Sequence, residues 1–103
     1  MAQVIWTGSA LQDLTDIGEY ISKDSEKYAE ITVSQLFSST DILEDHPKAG
    51  KVVPEFEIVS IRELIRGNYR IVYQLIEDHT IYVLAVHHGA RLLGNIIHPI
   101  TEE

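Results

Sequence analysis

The sequence contains no cysteine, which excludes disulfides and thiolate chemistry and makes a reducing, cytoplasmic setting the expected one. Long apolar runs are also missing, so no segment is expected to span a bilayer and no membrane partner is implied. The opening MAQVIWTGS has no basic region followed by an apolar stretch, so no secretory leader is expected. Positive charge is scarce: Lys+Arg number 8 against 16 Asp+Glu, for a net charge of −8. A surface of that sign repels a phosphate backbone, and direct nucleic-acid binding is not expected. What remains is globular in composition, with 45% hydrophobic and 23% charged residues in a chain of 103. That length fits a single domain over residues 1–103.

The charge is divided unevenly. Residues 1–60 hold four basic and eleven acidic side chains, whereas residues 61–103 hold four and five. Every base in the first part is a lysine, and every base in the second is an arginine: Arg62, Arg66, Arg70 and Arg91. Arginine suits bidentate contacts to carboxylates and phosphates, and stacking on aromatic rings. Each arginine is equally readable as the solvated end of a strand.

Local pattern divides the chain the same way. Gln3–Trp6 reads as a short strand closed by Thr7 and Gly8. Ser9 and Gln12 form a capping box opening a helix over residues 9–22, with Leu11, Leu14, Ile17 and Ile21 inward. Asp24 or Ser25 is placed to cap a second helix over 26–45. Its stripe is Ala29, Thr32 or Val33, Leu36, Thr40 and Leu43, widened by Ile31, Phe37 and Ile42. His46-Pro47 ends it, since the residue before a proline is pushed out of the helical region. So short a connection predicts an antiparallel helical hairpin.

Residues 47–54, with Gly50 and two prolines, read as a loop, and beyond them the apolar period changes to two. A strand is predicted over 58–66, then a two-residue hairpin turn of type II′ at Gly67-Asn68. The next strand, 69–77, sets Tyr69, Ile71, Tyr73 and Leu75 on one face, with Arg70, Val72, Gln74 and Ile76 on the other. Asp78-His79 turns the chain into a third strand over 80–88, and residues 91–93 and 95–99 leave room for an edge extension. The predicted order is β-α-α-β-β-β, an α+β domain with the helical hairpin packed on a mostly antiparallel sheet.

Several short motifs stand in a telling sequence. They are Trp6, Leu11-x-x-Leu14-x-x-Ile17-x-x-Tyr20-Ile21, Gly50…Val53-Pro54-Glu55, Arg62-Glu63-Leu64, Tyr69-Arg70-Ile71-Val72-Tyr73 and Val86-His87-His88-Gly89-Ala90-Arg91. In that order and spacing, over residues 3–93, the chain resembles the ParE toxins of the RelE/ParE superfamily of bacterial toxin–antitoxin systems. The resemblance implies a cytoplasmic toxin of a plasmid-stabilisation type of system, wrapped by the carboxy-terminal segment of a cognate, ribbon-helix-helix antitoxin. In the ParE branch the implied target is DNA gyrase, and in the RelE branch mRNA on the ribosome.

RNA cleavage by 2′-oxygen attack needs a base, an acid and cations for the phosphorane. The resemblance implies that RelE-like nucleases draw on a carboxy-terminal tyrosine, and no tyrosine follows Tyr82 here. His87 and His88, at the end of the third strand, are of the type that titrates near neutral pH and, with Arg62, Arg70 and Arg91, make the candidate nuclease set. Adjacent residues of a strand point to opposite faces, so only one histidine can serve a site; each is equally a structural strand-end histidine. No metal site and no cofactor are implied.

The balance favours a gyrase inhibitor over an enzyme, with a RelE-like ribosome-dependent nuclease and a toxin-like binding module without toxicity as the alternatives. Arg62, Arg70, His88 and Arg91 are then the target-binding candidates. Trp6, Leu14, Ile17 and Tyr20 are candidates for core or antitoxin groove, and Asp13, Asp16 and Glu19 for receiving basic antitoxin residues.

Overall fold

The computed structural model describes residues 1–77, 79–89 and 100. The chain forms strand β1 (Gln3–Trp6), helices α1 (Gly8–Ser22) and α2 (Glu26–Ser38), and a 3₁₀ segment (Ser39–Glu44). Four strands follow: β2 (Lys51–Val52), β3 (Ile61–Arg66), β4 (Tyr69–Ile76) and β5 (Thr80–His88). They make one sheet in the order β1-β5-β4-β3-β2. Among the described residues the β1–β5 pair is parallel and the other three pairs are antiparallel. The α+β architecture is the predicted one, with a two-residue strand added inside the expected 47–54 loop.

The helix boundaries differ from the local reading for physical reasons. Thr7, not Ser9, caps α1: its hydroxyl accepts from Ala10 N–H at 3.1 Å and donates to the Val83 carbonyl at 2.8 Å. One side chain thus starts the helix and ties it to β5, while Gln12 donates to Asp16 rather than back to the cap. Ser25 caps α2 by accepting from Tyr28 N–H. The second helix stops as an α-helix at Ser38, seven residues before the expected end. Ser39 and Thr40 donate their hydroxyls back to the carbonyls of Leu36 and Phe37, which tightens the chain into 3₁₀ turns. Thr40 and Leu43 are thereby carried inward together, and Thr40 receives the Trp6 indole N–H at 3.2 Å. Ile31, Phe37 and Ile42, expected to widen the inner stripe, are exposed, as is Leu11 on α1.

The strand signals place the centre of the sheet correctly and its ends less so. β3 begins at Ile61 rather than 58, because residues 57–60 are needed to turn the chain, with Glu57 at φ 54°. β4 ends at Ile76, one residue early. Gly67 sits at φ 59°, while Asn68 is not among the positive-φ residues, as a type II′ turn requires. Asp78 of the expected turn, and the expected edge segments at 91–93 and 95–99, lie outside the described residues.

A β-bulge divides β5. Val72 faces Ala85 and Tyr73 faces Val83, so Leu84 is the extra residue. Ile81, Val83 and Val86 pack under the helices with Leu14, Leu36, Leu43, Ile71 and Tyr73. Leu84 and Ala85 both join Val53, Ile61 and Val72 on the opposite face. Two apolar clusters result, one under the helical hairpin and one beneath the loop that carries Val53 and Phe56.

Candidate functional site

Two surfaces collect chemistry-bearing side chains, one on each side of the sheet. On the helix side, β1 ends opposite Val83, and beyond it β5 has no strand neighbour on that edge among the described residues. Helix α1 fills the place of a strand there: Asp13 Oδ2 accepts the Val86 N–H at 2.9 Å. Asp13 is therefore a half-buried structural acceptor. Its neighbours Asp16 and Glu19 stay exposed.

Between α1 and the end of β5 runs a groove of about 530 Å³ lined by Asp13, Asp16, Tyr20, Tyr69, His87 and His88, among others. Tyr20 is 73% exposed, and Tyr69 meets His88 edge-on across the β4–β5 pair, ring centroids 5.2 Å apart. Burial pushes the Tyr69 phenol above its ordinary value of 10.0, with smaller upward contributions from the Tyr28 and Tyr20 phenols. The groove is acidic on one wall and aromatic on the other. Such walls suit a basic or aromatic protein segment. Trp6 lies apart from it, half-buried against Phe37 with centroids 5.1 Å apart, and Leu14 is core.

On the other side of the sheet Arg70 is enclosed by carboxylates. Its Nη1 and Nη2 donate to the two Glu55 oxygens at 2.8 and 2.9 Å, and its Nε donates to Glu63. Glu63 is only 2% exposed, so its charge depends on that guanidinium. The pair holds Glu55 below its ordinary value, chiefly through the hydrogen bonds from Arg70, and keeps Arg70 more firmly protonated still.

Arg62, one of the candidates grouped with Arg70 from sequence, stands opposite Tyr73 and so on the helix side of β3. There its guanidinium donates to the carbonyls of Gly50 and Val59, bracing the loop. His88 also lies on the helix side, whereas His87 stands opposite Arg70. The structure thus separates Arg62 and His88 from Arg70, and splits the two histidines as strand geometry requires. Arg91 lies outside the described residues. Sequence reasoning missed the two carboxylates on Arg70. The Val53-Pro54-Glu55 and Arg62-Glu63-Leu64 motifs contained both, without a signal of their common destination.

These charges set the pH limits of the fold. Glu55 is depressed below 4.5, so its contribution is whole above about pH 4.5 and is lost as pH falls through the depressed value. Tyr69 and Tyr73 are raised above 10.0 by burial, so their contribution is whole below pH 10 and is lost as pH rises past it. Thermal melts across pH should show both limbs. Glu55→Gln should flatten the acid limb, and Tyr69→Phe should reduce the alkaline one.

Comparison with known proteins gives a consistent set of relatives. Residues 4–93 match the family described as the ParE toxin of the type II toxin–antitoxin system parDE. Toxin RelE2 of Caulobacter vibrioides is 32% identical over 92 residues, spanning 89% of this chain and all of that protein. Among solved structures, the chromosomal ParDE system of P. aeruginosa superposes with a TM-score of 0.70 at 20% identity, over 87% of this chain and 98% of that one. That likeness is one of fold. The toxin–antitoxin complex RelBE2 of Mycobacterium tuberculosis gives a TM-score of 0.52 at 25% identity, over 84% and 96%.

Proposed function

The chain belongs to the ParE toxin family of type II toxin–antitoxin systems, and from that premise we propose that it acts by binding a protein target, DNA gyrase, rather than by cutting RNA. The observation that carries this reading is the neutralisation of Arg70. A guanidinium already shared between Glu55 and Glu63 is a poor partner for a developing phosphorane. The register of β5 on β4 sets His88 opposite Tyr69 and His87 opposite Arg70, on different faces of the strand, and the net charge of −8 opposes approach to ribosomal phosphate. A face of paired charges and apolar side chains suits recognition of protein.

A gyrase supercoiling assay with purified, folded toxin tests the reading, with inhibition and trapped cleavage complexes expected at micromolar concentration. The name of the Caulobacter relative favours the RelE branch as a second reading. Primer extension on translated mRNA decides that one: new cleavage sites on induction would establish it and remove gyrase binding as the main activity.

The antitoxin is the second partner, and the acidic, aromatic groove along α1 is its proposed seat. Asp16→Lys with Glu19→Lys should weaken the toxin–antitoxin complex about tenfold at low salt, with the difference shrinking at high salt. Titration calorimetry at two ionic strengths reads this directly. Unchanged affinity at low salt would move the antitoxin off that wall.

A further inference from the structure

Gln74 is a polar side chain left 4% exposed on the sheet face turned away from the helices. Both ends of its amide are used by a single residue outside the sheet. Nε2 donates to the Ile100 carbonyl at 2.9 Å, and Oε1 accepts from the Ile100 N–H at 2.8 Å. A primary amide that donates to and accepts from one residue's main chain imitates the facing residue of an antiparallel strand. It holds extended backbone of any sequence. Selectivity then comes from the side chain, and that of Ile100 packs against the cluster of Val53, Ile61, Val72, Leu84 and Ala85. The strands beneath are held by hydrogen-bonded ladders, interrupted in β5 by the bulge at Leu84. Ile100 belongs to no strand; this clamp and its packing on that cluster hold it against the sheet.

We propose that Gln74 and the apolar face around it form a docking site for an extended protein segment with an apolar side chain, filled by Ile100 in the free toxin and taken over by the target on binding. The face is the one that carries Arg70, four residues along β4 from Gln74, and His87 opposite it. The antitoxin's proposed seat is on the other side of the sheet, which leaves this face to the target. Identifying the incoming segment with the toxin's protein target rests on the reading above; the exchangeable site itself does not. An occupant tethered in the same chain competes at a high effective concentration, so loosening it raises the partner's apparent affinity by up to the same factor.

Two variants of the full chain separate the partners of the clamp. Ile100→Ala weakens the resident segment and leaves the site intact, whereas Gln74→Met keeps the volume and removes the clamp for resident and newcomer alike. Amide hydrogen exchange by NMR should show residue 100 exchanging at least a hundredfold faster than Ile71 and Val83 in the wild-type protein. Both variants should accelerate residue 100 about tenfold further while leaving those two amides unchanged. In the supercoiling assay the variants should move oppositely, Ile100→Ala inhibiting at a threefold or more lower concentration and Gln74→Met at a higher one.

Exchange of residue 100 in step with Ile71 and Val83 would overturn the proposal, because Ile100 would then be part of the cooperative core. Equal or same-direction shifts in inhibition would also overturn it. If Gln74→Met does not fold, Ile100→Ala, which alters no strand, carries both measurements alone. If the wild-type toxin leaves gyrase untouched, the gyrase reading falls, and the exchange result still decides the docking site.

Discussion

Arg70→Met should destabilise the fold by about 3–5 kcal/mol in equilibrium urea unfolding, the range expected when one partner of a buried ion pair is removed. The cost lies mainly with what is left behind. Glu63 is 2% exposed under the loop that carries Glu55, and its carboxylate would lose the donor that balances its charge. Glu55 would suffer less, since its side chain retains about a fifth of its surface in water. Glu55→Gln should accordingly cost no more than about 1 kcal/mol. Joining Arg70→Met to Glu63→Met should recover much of the loss, because both charged groups are then replaced by apolar ones of similar length. An Arg70→Met protein as stable as the wild type at pH 7 would show that Glu63 finds another donor or water.

Gly50→Ala should cost about 3 kcal/mol, at the upper end of the overpacking range. A Cβ at Gly50 would sit 2.4 Å from the Glu63 carbonyl oxygen, 2.7 Å from the Tyr73 hydroxyl and 2.8 Å from its ring. The first of these is backbone inside the sheet and cannot step aside. Gly50 N–H also donates to the Tyr73 hydroxyl at 2.9 Å, and that hydroxyl donates to the Pro47 carbonyl at 2.9 Å. The phenol thus clips the 47–50 loop to β4 while Arg62 holds the Gly50 carbonyl from the other side. Tyr73→Phe removes the clip without adding volume and should cost about 1–3 kcal/mol for the buried groups it strands. The double variant should lose less than the sum, because each change already breaks the same hydrogen bond. Additive losses in urea unfolding would mean that Gly50 and Tyr73 do not act through that bond.

Much of the fold was legible locally because its signals are local. A change of apolar period from 3.6 to 2 after residue 54 separates hairpin from sheet, and Ser25 caps its helix from three residues away. Gly67 supplies the positive φ that its turn demands. The misread boundaries are those where a distant partner intervened. Thr7 outcompeted Ser9 as a cap because its hydroxyl also reaches Val83, and α2 tightened at Thr40, where the Trp6 indole meets it.

The candidate site was less legible. Arg62 and Arg70 are eight residues apart, an even spacing, but on two strands joined by a two-residue hairpin. The pairing puts Arg62 opposite Tyr73 and Arg70 opposite Ile65, and so on opposite faces. The arginines were found by type and separated only by register.

The histidines show the division most plainly. The sequence by itself determined the types and order of the elements, and that two consecutive strand residues diverge, because these follow from side-chain periodicity and backbone sterics. It left open which histidine turns to the helix side of the sheet. Strict alternation from Ile81 would turn His87 toward the helices. The bulge at Leu84 adds one residue, reverses the phase, and sends His88 there beside Tyr69. Only the tertiary structure decided this, and with it the enclosure of Arg70 by two distant carboxylates. A bulge and an ion pair are settled by what packs across the sheet, and neither leaves a periodic trace along the chain.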